Sequence, residues 1–251
     1  MSLEGQVAII TGSGQGLGRT YAKRLSAEGA NIVVADLNGE KAEAVAEEIV
    51  ADGGDAIAIQ VDVSDHSQVQ KMAAAAVERW QRIDILVNNA AYFSTIQLKP
   101  FEQIPDEEWD LAMAVNLRGA FLCCKEVVPL MKQRKYGRIV NVTSGTVLQG
   151  RPNYLHYVTT KSGIIGFTRA LAREVGDYGI TVNTLCPGLT LTEVRRTTIN
   201  EEHVAQEVGR QAIKRPGQTD DLAGGLSYLV SEDAAFFTGQ MLNVDGGLNM
   251  Y

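Results

Sequence analysis

From end to end, short apolar runs rich in β-branched residues alternate with longer amphipathic stretches. Val7-Ala8-Ile9-Ile10, Asn31-Ile32-Val33-Val34-Ala35, Ala56 to Val61, Ile83 to Val87, Gly137 to Val142, Ile180 to Leu185 and Met241 to Val244 read as strands. Between the early runs, apolar residues at helical spacing cover Gln15 to Glu28, with Leu17, Tyr21 and Leu25 on one face, then Glu40 to Ala51 and Ser67 to Trp80. Strands that are apolar throughout must be buried on both faces, which calls for a parallel sheet with helices above and below. Right-handed crossovers then give a doubly wound, three-layer α/β/α fold of seven strands, with ligands at the carboxyl ends of the strands. No Pro/Gly/Ser linker, repeat or charge run interrupts the 251 residues, so a single domain over 1–251 is expected.

The first strand runs into Thr11-Gly12-Ser13-Gly14-Gln15-Gly16-Leu17-Gly18. Glycines at 12, 16 and 18 let the backbone turn sharply and approach a pyrophosphate with no Cβ in the way. A helix beginning near Gln15 aims free N–H groups and its positive dipole end at that anion. The spacing is GxxxGxG rather than GxGxxG, and a glycine-rich turn of this kind also occurs without a ligand. Asp36 adds a second element, ending strand two about 20 residues beyond the glycines, where a carboxylate can accept hydrogen bonds from ribose hydroxyls. A simple turn cap is the alternative reading of Asp36. The same carboxylate repels a 2′-phosphate, and Leu37-Asn38-Gly39 offers no arginine to offset it, so NAD(H) is expected over NADP(H).

Tyr157 and Lys161 stand four residues apart on a helical stretch, with Ser144 thirteen residues upstream. A free tyrosine has a pKa near 10, too high for a base at neutral pH. Lys161, one turn on, projects to the same face and is expected to stabilise the phenolate. Such a pair can move an alcohol proton while a hydride passes to or from a nicotinamide. On its own, a Tyr-xxx-Lys pair is just as readily a packed surface pair.

Taken together, Thr11-Gly12-xxx-Gly16-x-Gly18, Asp62-Val63, Asn88-Asn89-Ala90-Ala91, Asn116, Ser144, Tyr157-xxx-Lys161 and Pro187-Gly188 make the chain resemble the short-chain dehydrogenase/reductase family, in its compact form of about 250 residues. The resemblance runs nearly end to end and implies a Rossmann-type dinucleotide-binding fold. One departure is Ala91, where the family usually has glycine; the extra methyl is tolerated if φ there is negative. The resemblance implies a catalytic tetrad of Asn116, Ser144, Tyr157 and Lys161, with Ser144 holding the reacting oxygen and Asn116 keeping a water near Lys161. It also implies cofactor contacts from Gly12, Gln15, Gly16, Leu17, Gly18 and Asp36, from Asp62 and Val63 beside the adenine, and from Asn89 and Ala90 in the floor. Tyr157, Lys161, Pro187 and Gly188 complete that set, with Thr190 and Thr192 at the nicotinamide carboxamide. A homotetramer is implied through Asp106 to Gln133, Tyr154 to Asp177 and Gly239 to Tyr251. Ala114, Ala120, Ile164, Phe167 and Leu171 would supply apolar contact there, unless they pack on the sheet.

The expected substrate pocket comprises Tyr92, Phe93, Thr146, Leu148, Tyr154, Leu189 and Val194, some of which could instead be plain core. Its apolar character suits a hydrophobic secondary alcohol or its ketone, alicyclic or aromatic. Arg151, Arg195 and Arg196 could capture a substrate carboxylate or phosphate, or form a solvated face. The polar excursion at about 189–215 reads as a lid over the site, or as a surface insertion of two short helices. The chain also resembles 3-oxoacyl-(acyl-carrier-protein) reductases in layout. Asp36, and the acid and aromatic of Asp177-Tyr178 where a basic residue often stands, rank that second. Sugar or polyol oxidation comes third, and a non-catalytic NAD-binding regulator or a methyltransferase is the reading of another class. The intact Ser, Tyr and Lys set argues against that class.

Charge and residue spacing narrow the partners. A net charge of −7 and a pI near 5.1 exclude a non-specific nucleic-acid binder. No apolar run reaches the roughly 18 residues of a bilayer span, and Met1 to Gln6 lack the basic and apolar regions of a signal peptide, so a cytoplasmic address is expected. Cys123, Cys124 and Cys186, and His66, His156 and His203, show no metal-ligand spacing, so no metal is expected.

Overall fold

The computed structural model describes residues 2–196 and 198–250; Met1, Thr197 and Tyr251, which the N-terminal, lid and C-terminal readings include, lie outside the described residues. The strands are β1 (Val7–Thr11), β2 (Asn31–Asp36), β3 (Ala56–Gln60), β4 (Ile85–Asn88), β5 (Gly137–Val142), β6 (Ile180–Pro187) and β7 (Met241–Val244). They form one parallel sheet in the order β3-β2-β1-β4-β5-β6-β7. In chain order the helices are α1 (Gly16–Ala27), α2 (Gly39–Ala51), α3 (His66–Trp80), α4 (Asp106–Met113), α5 (Gly119–Arg134), α6 (Thr146–Gln149), α7 (Leu155–Val175), α8 (Glu201–Arg210) and α9 (Thr219–Val230).

The strand pleat divides the core in two. Ala8, Ile10, Ile32 and Val34 face a layer built from α1, α2 and α9. Val7, Ile9, Val33 and Ala35 face α3, α5 and α7. All eight are fully buried, and each large apolar side chain withdrawn from water contributes roughly 1.5–3 kcal/mol. The sheet order reverses between β1 and β4, so the crossovers diverge there and leave a crevice at Thr11 and Asn88.

Four segments differ from the reading of the sequence. Strand four starts at Ile85 rather than Ile83, because the buried Asp84 carboxylate accepts the Val7 N–H (2.9 Å) and holds Arg82 through two bonds (2.7 and 2.9 Å). The stretch from Asp106 to Gln133 is interrupted by a π-helical turn at Ala114–Arg118, which inserts one extra residue and turns Asn116 inward. Among the described residues the polar excursion holds one α-helix, α8, where the alternative to a lid is an insertion of two short helices. The helix α9 was not anticipated; Gly224 and Gly225 obscure its periodicity. At Gly225 a Cβ would stand 3.3 Å from Leu185, Leu242 and Val244, so the glycine lets α9 pack closely on the sheet.

Asp84 fixes where β4 enters beside β1. Asp84→Ala leaves the Val7 N–H unpaired and is expected to cost about 2 kcal/mol in urea unfolding. A loss within ~0.5 kcal/mol would show that the bond is dispensable.

Candidate active site

One cleft of ≈ 1040 Å³ runs along the carboxyl edge of the sheet. It is lined by Gly12, Gln15, Gly16, Leu17, Gly18, Asp36, Asp62, Val63, Asn89, Ala90, Pro187, Gly188, Thr190 and Thr192, together with Ser144, Tyr157 and Lys161. The cofactor residues expected from the sequence therefore share a wall with three of the four expected catalytic ones.

At one end, the glycine turn is shaped by contact. Gly12 has φ +64°, and a Cβ there would stand 2.8 Å from the Ala90 Cα; at Gly18 it would meet the Gly12 carbonyl at 2.1 Å. Asn89 spends its amide on this turn, donating to the carbonyls of Thr11 (3.0 Å) and Gly12 (2.9 Å). Gly16, also at positive φ, opens α1, and its N–H donates to Glu193 Oε1 at 2.8 Å. That carboxylate was not singled out from the sequence. It sits where a helix N-terminus attracts an anion. The cradle thus fits a diphosphate, for which the Glu193 carboxylate is an internal stand-in.

The Asp36 carboxylate accepts the N–H groups of Gly14 (2.8 Å) and Asn38 (3.0 Å), so it caps the turn and faces the cleft at once. Glu40 and Glu43 line the same rim. Lys41, another residue the sequence reading passed over, is held by Gln15 Oε1 at 2.6 Å. Asp62 accepts the N–H (2.9 Å) and hydroxyl (2.7 Å) of Ser64, which fixes the loop after β3. Ala91 is not among the non-glycine residues with positive φ, which are Gln81, Lys135 and Asn153, so its methyl is accommodated.

At the other end, β5 and α7 are pinned together. The Thr143 hydroxyl donates to the Lys161 carbonyl (2.8 Å), and Lys161 Nζ donates to the Val142 carbonyl (2.9 Å). Ser144 follows directly; its Oγ accepts from the Thr146 hydroxyl at 3.0 Å, and its hydroxyl is also hydrogen-bonded to the Tyr157 phenol. Asn116 lies behind this group rather than in the cleft. Its Oδ1 accepts the Tyr92 N–H (2.6 Å), and its Nδ2 donates to the Tyr92 carbonyl (3.1 Å) and Thr160 Oγ1 (3.2 Å).

Burial sets the charges here. It pushes the Tyr157 phenol up to about 12, with Ser144 acting in the opposite direction, and holds Lys161 down at about 8. Lys161 Nζ lies 5.8 Å from the Tyr157 ring centre. Burial is the largest influence on each of the two groups.

Of the expected pocket residues, Tyr92, Phe93 and Val194 line the cleft, while Thr146, Leu148, Tyr154 and Leu189 do not. Tyr154 instead stacks on Tyr157, ring centres 4.5 Å apart, and Phe93 leans on the same ring at 6.5 Å. Leu111, Val115 and Arg196 join the lining. The three cysteines are buried, and burial raises each thiol well above its usual value, to about 12 for Cys124 and Cys186.

A family model described as enoyl-(acyl carrier protein) reductase matches residues 12–249. The 3-oxoacyl-[acyl-carrier-protein] reductase of Synechocystis sp. is 37% identical over 252 residues, covering 100% of this chain and 99% of its own. Among solved structures, a 7α-hydroxysteroid dehydrogenase complexed with NADH and 7-oxo glycochenodeoxycholic acid superposes with TM-score 0.93 at 32% identity, over 98% of this chain and 95% of that one. A gluconate 5-dehydrogenase from Burkholderia cenocepacia, in complex with NADP and tartrate, gives 0.92 at 35% identity, over 98% and 96%.

Lys161 offers a test of the electrostatics that needs no substrate. Its folded-state pKa is depressed from 10.5 to about 8. The unfolded chain therefore binds more protons between those values, and stability rises with pH across that window. Lys161→Met is expected to stabilise the protein at neutral pH by on the order of 2 kcal/mol, with the gain shrinking above about pH 8. Urea unfolding as a function of pH measures this; a gain that stays constant with pH would refute the assignment.

Proposed function

Because the chain belongs to the short-chain dehydrogenase/reductase family, we propose that it is an NAD(H)-dependent oxidoreductase interconverting a hydrophobic secondary alcohol and its ketone, acting in the cytoplasm. The observation that carries this reading is the single cleft in which Ser144, Tyr157 and Lys161 face a glycine turn and Asp36. When bound, the nicotinamide would supply or accept the hydride. Gly12, Gln15, Gly16, Leu17 and Gly18 would hold its diphosphate, Asp36 a ribose, Asp62 and Val63 the adenine, and Thr190 and Thr192 the carboxamide end. Asn89 and Ala90 would form the floor, with Pro187 and Gly188 the opposite wall.

Ser144 positions the reacting oxygen beside Tyr157. With its phenol protonated up to about pH 12, Tyr157 is set to donate a proton to an alkoxide forming on the substrate. The oxidative direction needs the phenolate, which the buried ammonium of Lys161 favours. Asn116, locked to Tyr92 and Thr160, shapes the backbone behind that pair. Three carboxylates on the ribose rim, Asp36, Glu40 and Glu43, against one ammonium, Lys41, support NAD(H) over NADP(H).

A second reading, reduction of a 3-oxoacyl thioester, is supported by the name of the Synechocystis relative. Self-association to a tetramer belongs to the same proposal. Ala120 and Ile164 are buried within the chain, and Phe167 and Leu171 pack on its core. Contact would then fall to exposed side chains such as Phe121 on α5 and Leu155 on α7. Light scattering tests that: a stable monomer rejects it.

Turnover is read by NADH absorbance over aliphatic, alicyclic, aromatic and steroid alcohols and their ketones. Tyr157→Phe is expected to lower kcat at least ~10³-fold while NADH binding persists. Near-normal turnover in that variant, or tighter binding of NADPH than NADH, would overturn the corresponding part of the proposal. Tight NADH binding with no turnover of any class would favour a regulator.

A further inference from the structure

Arg196 is a cation at the substrate end of the cleft with no carboxylate partner among the described residues. It lines the cavity with Tyr92, Phe93, Tyr157 and Val194, half-buried on the segment that returns over the site. Its Nη2 donates to the Thr190 carbonyl, which anchors the guanidinium to the segment's own backbone. Among the described residues no carboxylate pairs with it. Glu207, on α8, is occupied by Gln149 (3.0 Å) and Arg210 (2.9 Å).

The other two arginines weighed from the sequence do different work. Arg195 is exposed and does not line the cleft. Arg151 donates to the Thr198 carbonyl (2.9 Å) and lies 5.5 Å over the Tyr154 ring, so it braces the segment from outside. Its positive charge adds to that of Arg196 rather than cancelling it. The charge of Arg196 is felt at both Tyr157 and Tyr154, which places it close to the reacting position.

A guanidinium carries five donors in a planar fork, and one neutral carbonyl uses a single one of them. Desolvating the rest with no anion is costly unless an anionic ligand completes the site. A carboxylate matches the fork in shape and charge. We propose that Arg196 binds a carboxylate carried by the substrate, so that the physiological pair is a hydroxy acid and its oxo acid with an apolar body against Tyr92 and Phe93. This rests on the oxidoreductase reading of the same cleft and narrows its substrate class. It also gives the lid segment a reason to close, since the substrate's charge tethers the strand of chain that covers it.

The test uses binding, so that it does not depend on turnover. Phenylalkanoates of two to five carbons and their neutral carboxamides are titrated calorimetrically into the NADH-bound enzyme. At least one acid is expected to bind about tenfold or more tightly than its amide. Arg196→Gln should bring the two affinities together, Arg196→Lys should keep part of the preference, and Arg195→Gln should keep all of it. Because the readout is a ratio within each variant, a general loss of affinity does not imitate the result. Acids no tighter than amides across the series, or a preference that survives Arg196→Gln, would overturn the proposal. An Arg196-dependent preference without NADH oxidation by any matching oxo acid would leave the carboxylate site standing and sink the oxidoreductase reading instead.

Discussion

The arrangement of this site depends on how Asn89 closes the gap between β1 and β4. Thr11 Oγ1 accepts the N–H groups of both Asn89 and Ala90 (3.1 Å each), while the Asn89 amide spans the Thr11 and Gly12 carbonyls. The end of β4, the glycine turn and the first turn of α1 are thereby one close-packed unit, with no space for a Cβ at 12 or 18. From there a polar ladder continues across the sheet. Asn88 donates to Asn141 Oδ1 (2.8 Å), and Asn141 donates to Thr168 Oγ1 on α7 (2.8 Å). The helix that carries Tyr157 and Lys161 is thus located relative to the helix N-terminus at Gly16 by buried hydrogen bonds rather than by apolar contact alone. Such networks specify one arrangement because each unpaired member would be costly.

What the sequence made legible follows from which forces are local. Seven apolar runs announced seven parallel strands because burial on both faces leaves its mark on each run separately. The glycine turn, Asp36, and Tyr157 with Lys161 were legible because a helix start, a strand end and a one-turn spacing are short-range features. The π-helical turn at Ala114–Arg118 was not, since nothing in Ala-Val-Asn-Leu-Arg breaks helical periodicity and the turn is fixed by bonds from Asn116 to Tyr92 and Thr160. The substrate wall was read least well. Tyr154 lies close in sequence to Tyr157, but its stacking on that ring makes it part of the support rather than the surface. Glu193 and Lys41 gave no signal at all, because their partners, Gly16 and Gln15, lie 177 and 26 residues away.

The electrostatics of Tyr157 and Lys161 follow from the same burial that positions them. Withdrawing both from water disfavours the phenolate and the ammonium alike, so the phenol rises and the amine falls. Ser144 narrows the gap at the phenol end by its hydrogen bond, while Lys161 Nζ is held by the Val142 carbonyl. A charge arriving above the pair therefore meets a poorly screened field. That low local dielectric is what lets a single added cation change the protonation of Tyr157 by more than it could in water.

Glu193 and Arg196 connect the two ends of the cleft through one short segment. Glu193 holds the segment to the N-terminus of α1, and Arg196 ties its other end to the Thr190 carbonyl while facing the substrate side. An anion that takes the Gly16 N–H must displace Glu193, because the two compete for one donor at the positive end of the helix dipole. Val194, between the two, lines the same cleft and lies beside Gly16, so one run of four residues contributes to both the glycine turn's surroundings and the substrate side.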